Sequence, residues 1–276
     1  MKYTIVADSS CDMTPQLRER LGVITAPLTL TLGERHYVDD DSLDLQKYME
    51  QMRTFPGTPT SAAPSPESYC NGFLAAETAF GITLSGNLSG SYASAMVGKS
   101  LAEEKGGDVH VFDSKSASAG EILVALKTRA LINLGKTKEE IILAVEMFIK
   151  RMKTFFVLED LGNLIKNGRM SRIKGRIISA LNIRPLLGSD GDGNIAFYSI
   201  ARGEKQSIEK LARTVEESKI DSADQTMVIT HCNNAPFAEK LKKIIKERYS
   251  FQEILVVPTR GLSSMYANEK GVVIAF

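Results

Sequence analysis

Histidine and cysteine are scarce in this chain, with three of each among 276 residues. His36, His110 and His231 lie far apart in sequence, and none stands in a metal-ligand spacing such as H-E-x-x-H, so no metal site is expected. Cys11, Cys70 and Cys232 are scattered and odd in number, which argues against a disulfide framework and for free thiols in a reducing compartment, the cytoplasm. No apolar run approaches the ~20 residues of a membrane span. The opening run, Met1 to Asp8, ends in an acid and serines and reads as a strand rather than an export signal. Charge of one sign is also lacking: 34 Lys plus Arg balance 33 Asp plus Glu. No global field therefore favours nucleic acid or an anionic membrane, and partners must be sought in local patches.

What is present is an ordinary globular composition, 43% hydrophobic and 24% charged, in a chain long enough for two cores at ~150 residues each. In the first half strand and helix patterns alternate. Lys2 to Ala7 reads as a strand, Thr14 caps a helix opening on Pro15, and Ile24 to Leu32 is extended up to a turn at Gly33. Asp44 opens a helix through Met52, Thr54 to Pro66 is a loop rich in Pro, Ser and Thr, and Ser65-Pro66 starts a helix toward Glu77. Strands at Phe80 to Leu84 and Asp108 to Phe112 each lead into a helix, and Thr137-Lys-Glu-Glu140 is a capping box for one more through Met152. This alternation predicts a mostly parallel sheet with helices on both faces, spanning residues 1–152. From Thr154 the pattern is a strand, a short helix, a hairpin around Gly188 to Gly193, then alternating strands and helices. The helices are Ser207 to Glu217 and, behind Asn234, Pro236 to Glu247. The chain ends in the strand Gly271 to Phe276, and residues 153–276 read as a second, mixed α+β domain with a ligand cleft between the two.

In open parallel sheets ligands lie beyond the carboxyl ends of the strands. The groups there are Asp8-Ser-Ser-Cys-Asp12, the turn Ser85 to Ser91, and Asp113-Ser114-Lys-Ser116. Most informative is Thr83-Leu-Ser-Gly-Asn-Leu-Ser-Gly-Ser-Tyr-Ala-Ser94, where a strand breaks into two Ser-Gly pairs and enters a helix. Gly90 allows close approach of a ligand, and Ser89 to Ser91 stand at the helix N-terminus, where free N–H groups favour a carboxylate or phosphate. A plain serine helix cap without a ligand has the same local pattern.

Two other chemistries remain open on the residues alone. Ser89 could serve a serine-dependent acyl transferase or ester hydrolase with His231 as base, although Gly86-Asn-Leu-Ser89-Gly90 has not the G-x-S-x-G spacing. The cleft could equally sense a small anion. A basic cluster, Lys166, Arg169, Arg172, Lys174, Arg176 and Arg184, reads either as solvated surface or, with Arg202 from the adjoining hairpin, as a face toward an anionic ligand or partner.

Several separated motifs together resemble the DegV family, which includes the fatty-acid-binding subunits of bacterial fatty acid kinases. They are Asp8-Ser9-Ser10-x-Asp12, Ser61-Ala-Ala-Pro-Ser-Pro66, Leu88-Ser89-Gly90-Ser91-Tyr92-x-Ser94-Ala95, Asp113-Ser114, Asn167-Gly168-Arg169-Met170-Ser171 and Arg202, in the family's order and spacing. The resemblance implies a two-domain α/β protein, itself no enzyme and needing no cofactor. It would bind one long-chain fatty acid in an interdomain tunnel and carry it to an ATP-binding kinase subunit. It further implies that the hydroxyls of Ser61 and Ser89, with Gly90 and Ser91, hold the carboxylate, and that Arg169 and Arg202 shape the headgroup or partner face. One position departs from the pattern: Tyr266 stands where the family commonly has histidine. A phenol donates a hydrogen bond but brings no positive charge.

Overall fold

The computed structural model describes residues 2–170 and 183–276. The first half runs β1 (Tyr3–Asp8), α1 (Pro15–Leu21), β2 (Val23–Ala26), β3 (Thr29–Leu32), β4 (Arg35–Val38), α2 (Leu45–Thr54), β5 (Thr60–Ala62), α3 (Pro66–Phe73), β6 (Thr78–Thr83), α4 (Ser91–Glu103), β7 (Asp108–Asp113), α5 (Ala119–Asn133) and α6 (Lys138–Arg151). The second runs β8 (Thr154–Val157), α7 (Gly162–Lys166), β9 (Ile183–Ser189), β10 (Ile195–Arg202), α8 (Gly203–Glu217), β11 (Thr226–His231), α9 (Ala235–Arg248), β12 (Glu253–Pro258), α10 (Gly261–Ala267) and β13 (Val272–Ala275).

Among the described residues three sheets result. β2-β1-β6-β7 is parallel throughout, as the alternation predicts. The order β10-β9-β8-β13-β11-β12 forms a mixed sheet whose one parallel pair is β11 with β12. A small antiparallel sheet, β4-β3-β5, completes the set. Helix starts follow their local signals: Thr14 accepts from the Leu17 N–H at 3.2 Å, Asp44 from Lys47 at 3.0 Å, and Ser65 from Ser68 at 3.1 Å. Thr137 and Glu140 form the capping box.

The extended run expected from Ile24 to Leu32 is two strands in different sheets. Pro27 cannot donate to a ladder, and beyond it the chain leaves the parallel sheet for the small one. The loop expected from Thr54 to Pro66 contains β5, which pairs with β3 so that Ser61 lies opposite Leu30. The third helix stops at Phe73, short of Glu77. Asn234 sits before α9 but makes no side-chain cap; its backbone N–H donates to His231 Nδ1 at 3.2 Å.

Helix α5 decides the architecture. Its residues from Ala119 to Ala125 are all buried. They join a core with Phe80 and Ile82 of the parallel sheet and Val228, Val257 and Ala275 of the mixed sheet. Burial on both sides explains why the helix shows no polar stripe. On the mixed sheet, Phe155, Val157, Val272 and Ile274 face the core under α8 and α9. The alternate residues, Thr154, Phe156, Leu158 and Val273, face a cavity.

Candidate ligand site

That cavity has a volume of about 170 Å³ and lies between the parallel and mixed sheets, bounded by the small sheet and α10. Its apolar wall is built by Leu84 and Leu88 from the serine turn, Phe156 and Leu158 from the end of β8, Leu164 from α7, Ile195 from β10 and Leu262 from α10. Ser61, Ser89 and Tyr266 bring hydroxyls to its lining, and Gly90 its backbone. Ser61 Oγ lies 3.5 Å from Tyr266 Oη although 205 residues separate them. The phenol therefore meets one of the two serines that the sequence singles out.

The serine turn is heavily braced. The Ser85 N–H donates to Ser116 O at 2.7 Å, and Ser85 O accepts from Leu88 and Ser89 at 2.9 and 3.1 Å. Ser89 Oγ accepts from the Ser91 N–H at 3.1 Å and donates to Ser91 Oγ at 3.4 Å. Ser89 is thus a local cap of α4 and a cavity-wall hydroxyl at once. Its donated bond is long and easily redirected. Ser91 itself is buried behind the turn.

Arg169 lines the cavity and holds the turn, donating from Nε to Leu88 O at 3.1 Å and from Nη1 to Asn167 O. Arg202 is exposed at the end of β10, where its N–H bonds the Gln206 side chain, and it is not in the cavity wall. Arg184 pairs with Glu159. Lys166 is exposed. Arg172, Lys174, Arg176 and Ser171 lie outside the described residues. A wider depression of about 620 Å³ flanks the turn from outside and shares Leu88, Ser89, Gly90 and Arg169 with the cavity.

Among the described residues no histidine lines the cavity. His36 contacts Thr31 in the exposed hairpin, and His110 sits 3.7 Å from Glu146. His231 accepts from the Asn234 N–H. Burial pushes His110 and His231 below the usual imidazole value. Among the described residues no histidine is hydrogen-bonded to Ser89. Among the described residues no group of His, Cys, Asp or Glu is arranged to hold a metal ion, and no helix is long and apolar enough to cross a membrane.

Ser10 and Ser116, which fall in the strand-end groups named from the sequence, line the cavity; Ser118 and Thr154, which sequence reasoning missed, line it too. Their hydroxyls point at buried partners: Ser10 donates to Glu121 at 2.6 Å, Ser118 to Asp12, and Ser116 Oγ lies 2.7 Å from Thr154 Oγ1. The available signals were Ser118 with Glu121, which forms a capping box, and the alternation along β8.

A family model, that of the DegV family, matches residues 2–276. A DegV domain-containing protein of Streptococcus pneumoniae is 34% identical over 282 residues, covering 100% of this chain and 99% of its own. A crystal structure of a DegV family protein from Ruminococcus gnavus with vaccenic acid is 36% identical, with a TM-score of 0.95 and coverage of 99% of both chains. The Fatty Acid Kinase (Fak) B3 protein of Streptococcus pneumoniae, loaded with linoleic acid, is 32% identical, with a TM-score of 0.93 and coverage of 100% of this chain and 99% of that one.

Proposed function

The chain belongs to the DegV family, and from that premise we propose that it binds one long-chain fatty acid, the acyl tail in the cavity and the carboxylate at Ser61 and Ser89. The observation that carries this reading is a cavity with a largely apolar wall that Ser61, Ser89 and Tyr266 also line, the Ser61 and Tyr266 hydroxyls being 3.5 Å apart. Burying ~14 methylenes at about 0.8 kcal/mol each offers roughly 11 kcal/mol before immobilisation is deducted, so the tail supplies affinity. A carboxylate leaving water opposes binding unless hydrogen-bonded, so the hydroxyls and the N-terminus of α4 set its orientation. A short anion would leave the apolar part of the cavity, walled by Phe156, Leu158 and Leu262, unfilled.

In this reading residues 1–152 and 153–276 are two units flanking the ligand, and the protein is a cytoplasmic carrier without catalytic residues. The depression outside the serine turn, with Arg169 on its edge and Arg202 beyond it, is the face offered to an ATP-binding kinase subunit. Gly90 gives the approaching headgroup room, and Ser91 supports Ser89 from behind through its N–H.

Native mass spectrometry of the protein purified from bacteria is expected to show a bound mass of fatty-acid size. Replacing Ser61 and Ser89 together with alanine should weaken oleate binding by at least ~100-fold, since each hydrogen bond to a charged group contributes about 1.5–3 kcal/mol. A lipid-free protein that ignores added oleate would refute the proposal.

A further inference from the structure

Behind the serine turn lies a buried polar seam that fatty acid binding as described above leaves unused. Asp8, the last residue of β1, is 1% exposed. Its Oδ2 accepts from the Leu84 N–H at 2.9 Å and its Oδ1 from the Ser10 N–H at 3.1 Å. Glu121, fully buried on α5, faces it and accepts at Oε1 from Ser10 Oγ at 2.6 Å and from the Ser118 N–H at 3.1 Å. The other groups around this pair are Tyr69 from α3, the Ser91 hydroxyl from α4, and Cys11 and Asp12 from the short 3-10 turn Ser9–Cys11 and the residue after it. Glu121 Oε2 and the Tyr69 phenol lack a well-directed hydrogen bond among the described residues. The nearby cations are engaged elsewhere: Arg169 with carbonyls of Leu88 and Asn167, Lys115 with Asp113 at 2.9 Å.

Two carboxyl groups in contact do not both ionise in a buried site. Backbone N–H groups on both oxygens of Asp8 keep the charge there, and the proton rests on Glu121. Burial lifts Asp8 to about 6 and Glu121 well above the usual carboxylate value. In this state the hydroxyls run inward: Ser89 donates to Ser91, and Ser91 faces the Asp8 carboxylate. A chain of hydroxyls that ends on an acceptor inside has no proton left to give outward.

We propose that Asp8 is the proton acceptor of the headgroup site, so that arrival of a carboxylate at Ser89 transfers one proton from solvent to Asp8 and reverses the Ser91–Ser89 hydroxyl chain. This rests on the fatty-acid reading of the site. The balance is one proton: the Asp8 carboxylate becomes a carboxylic acid whose O–H donates to Ser91 Oγ, Ser91 donates to Ser89, and Ser89 donates to the ligand. The same proton removes the repulsion between two anions near each other in a medium of low dielectric constant. Asp8 thereby acts as a positioning residue, through two hydroxyls.

The test is calorimetric titration of oleate near pH 7 in phosphate and in Tris, whose ionisation enthalpies differ, together with infrared difference spectra using oleate labelled with carbon-13 at the carboxyl. Uptake of about one proton per oleate is expected, with affinity rising about tenfold per unit fall in pH where uptake is complete. A carboxylic-acid band gained on binding should not shift with the label. Asp8→Asn should abolish the buffer dependence; if that variant does not fold, the wild-type spectra decide alone. Binding without buffer dependence, or an acid band that moves with the label, overturns the proposal while leaving fatty acid binding intact. Absence of any oleate binding defeats both.

Discussion

Gly193 closes the cavity from the tip of the β9–β10 hairpin, and its replacement by alanine tests how the two sheets are held around the ligand. A Cβ there would lie 2.2 Å from Ser85 Oγ and 3.1 Å from the Lys115 backbone, at a φ of +88°. The backbone conformation costs a non-glycine residue about 1–2 kcal/mol, and forcing extra atoms into a packed contact about 1–3 kcal/mol. Moving the tip also breaks the 2.8 Å bond from Ser85 Oγ to Gly193 O, at about 1 kcal/mol. Gly193→Ala should therefore lose about 3–6 kcal/mol, or roughly 6–24 °C in melting temperature at 2–4 °C per kcal/mol. If the tip undocks locally, less of this appears as global stability and more as weaker oleate binding, because Asn87 also releases Asp192 O and the turn bearing Ser89 loosens. Adding Ser85→Gly removes the closest clashing atom and should recover a measurable part of the loss. A single variant that melts and binds within error of wild type would refute the argument that this contact fixes the cavity's rim.

Two further perturbations follow from the same geometry. The carboxyls of Asp8 and Asp12 are raised by burial to about 6 and about 7, so at these two sites the folded state holds more protons than the unfolded state from about pH 4 to 7. Their contribution is complete below about pH 4 and is lost as pH rises through those values, by roughly 4 kcal/mol for Asp12 alone at 1.36 kcal/mol per unit. Urea denaturation from pH 4.5 to 8 should show this slope, and Asp12→Asn should flatten it; a stability that rises with pH would contradict the assignment. Tyr266→Phe removes a contact at the outer limit of hydrogen bonding and should reduce oleate affinity about three- to tenfold with little change in melting temperature. Unchanged affinity would remove Tyr266 from the headgroup set.

Much of the secondary structure was legible because its signals are local. Thr14 with Pro15, Asp44 with Lys47, Ser65 with Pro66 and Thr137 with Glu140 each satisfy free N–H groups within four residues, and the structure starts helices there. What was not legible depends on partners distant in sequence. β5 is three residues long and exists because β3 pairs with it. α10, which carries Tyr266, is a short helix whose packing against α2 and α7 holds it. Glu121 reads as a helix-start residue, and its place beside Asp8 follows from the position of α5 between two sheets. Arg169 and Arg202, paired in the sequence reading, part company because one braces the serine turn and the other ends a strand at the surface.

The amino-acid sequence by itself determined most of the strand and helix order, the parallel first sheet, the serine turn at Ser85 to Ser91 and the ordered motifs that belong to one family. Those properties are set by neighbours a few residues apart. The tertiary structure alone decided that Ser61, Ser89 and Tyr266 share one cavity, that alternate residues of β8 line it, and that Asp8 and Glu121 lie against each other in a buried seam. Such juxtapositions arise from packing between elements, and the energy of a buried charge depends on what surrounds it in space rather than on its neighbours along the chain.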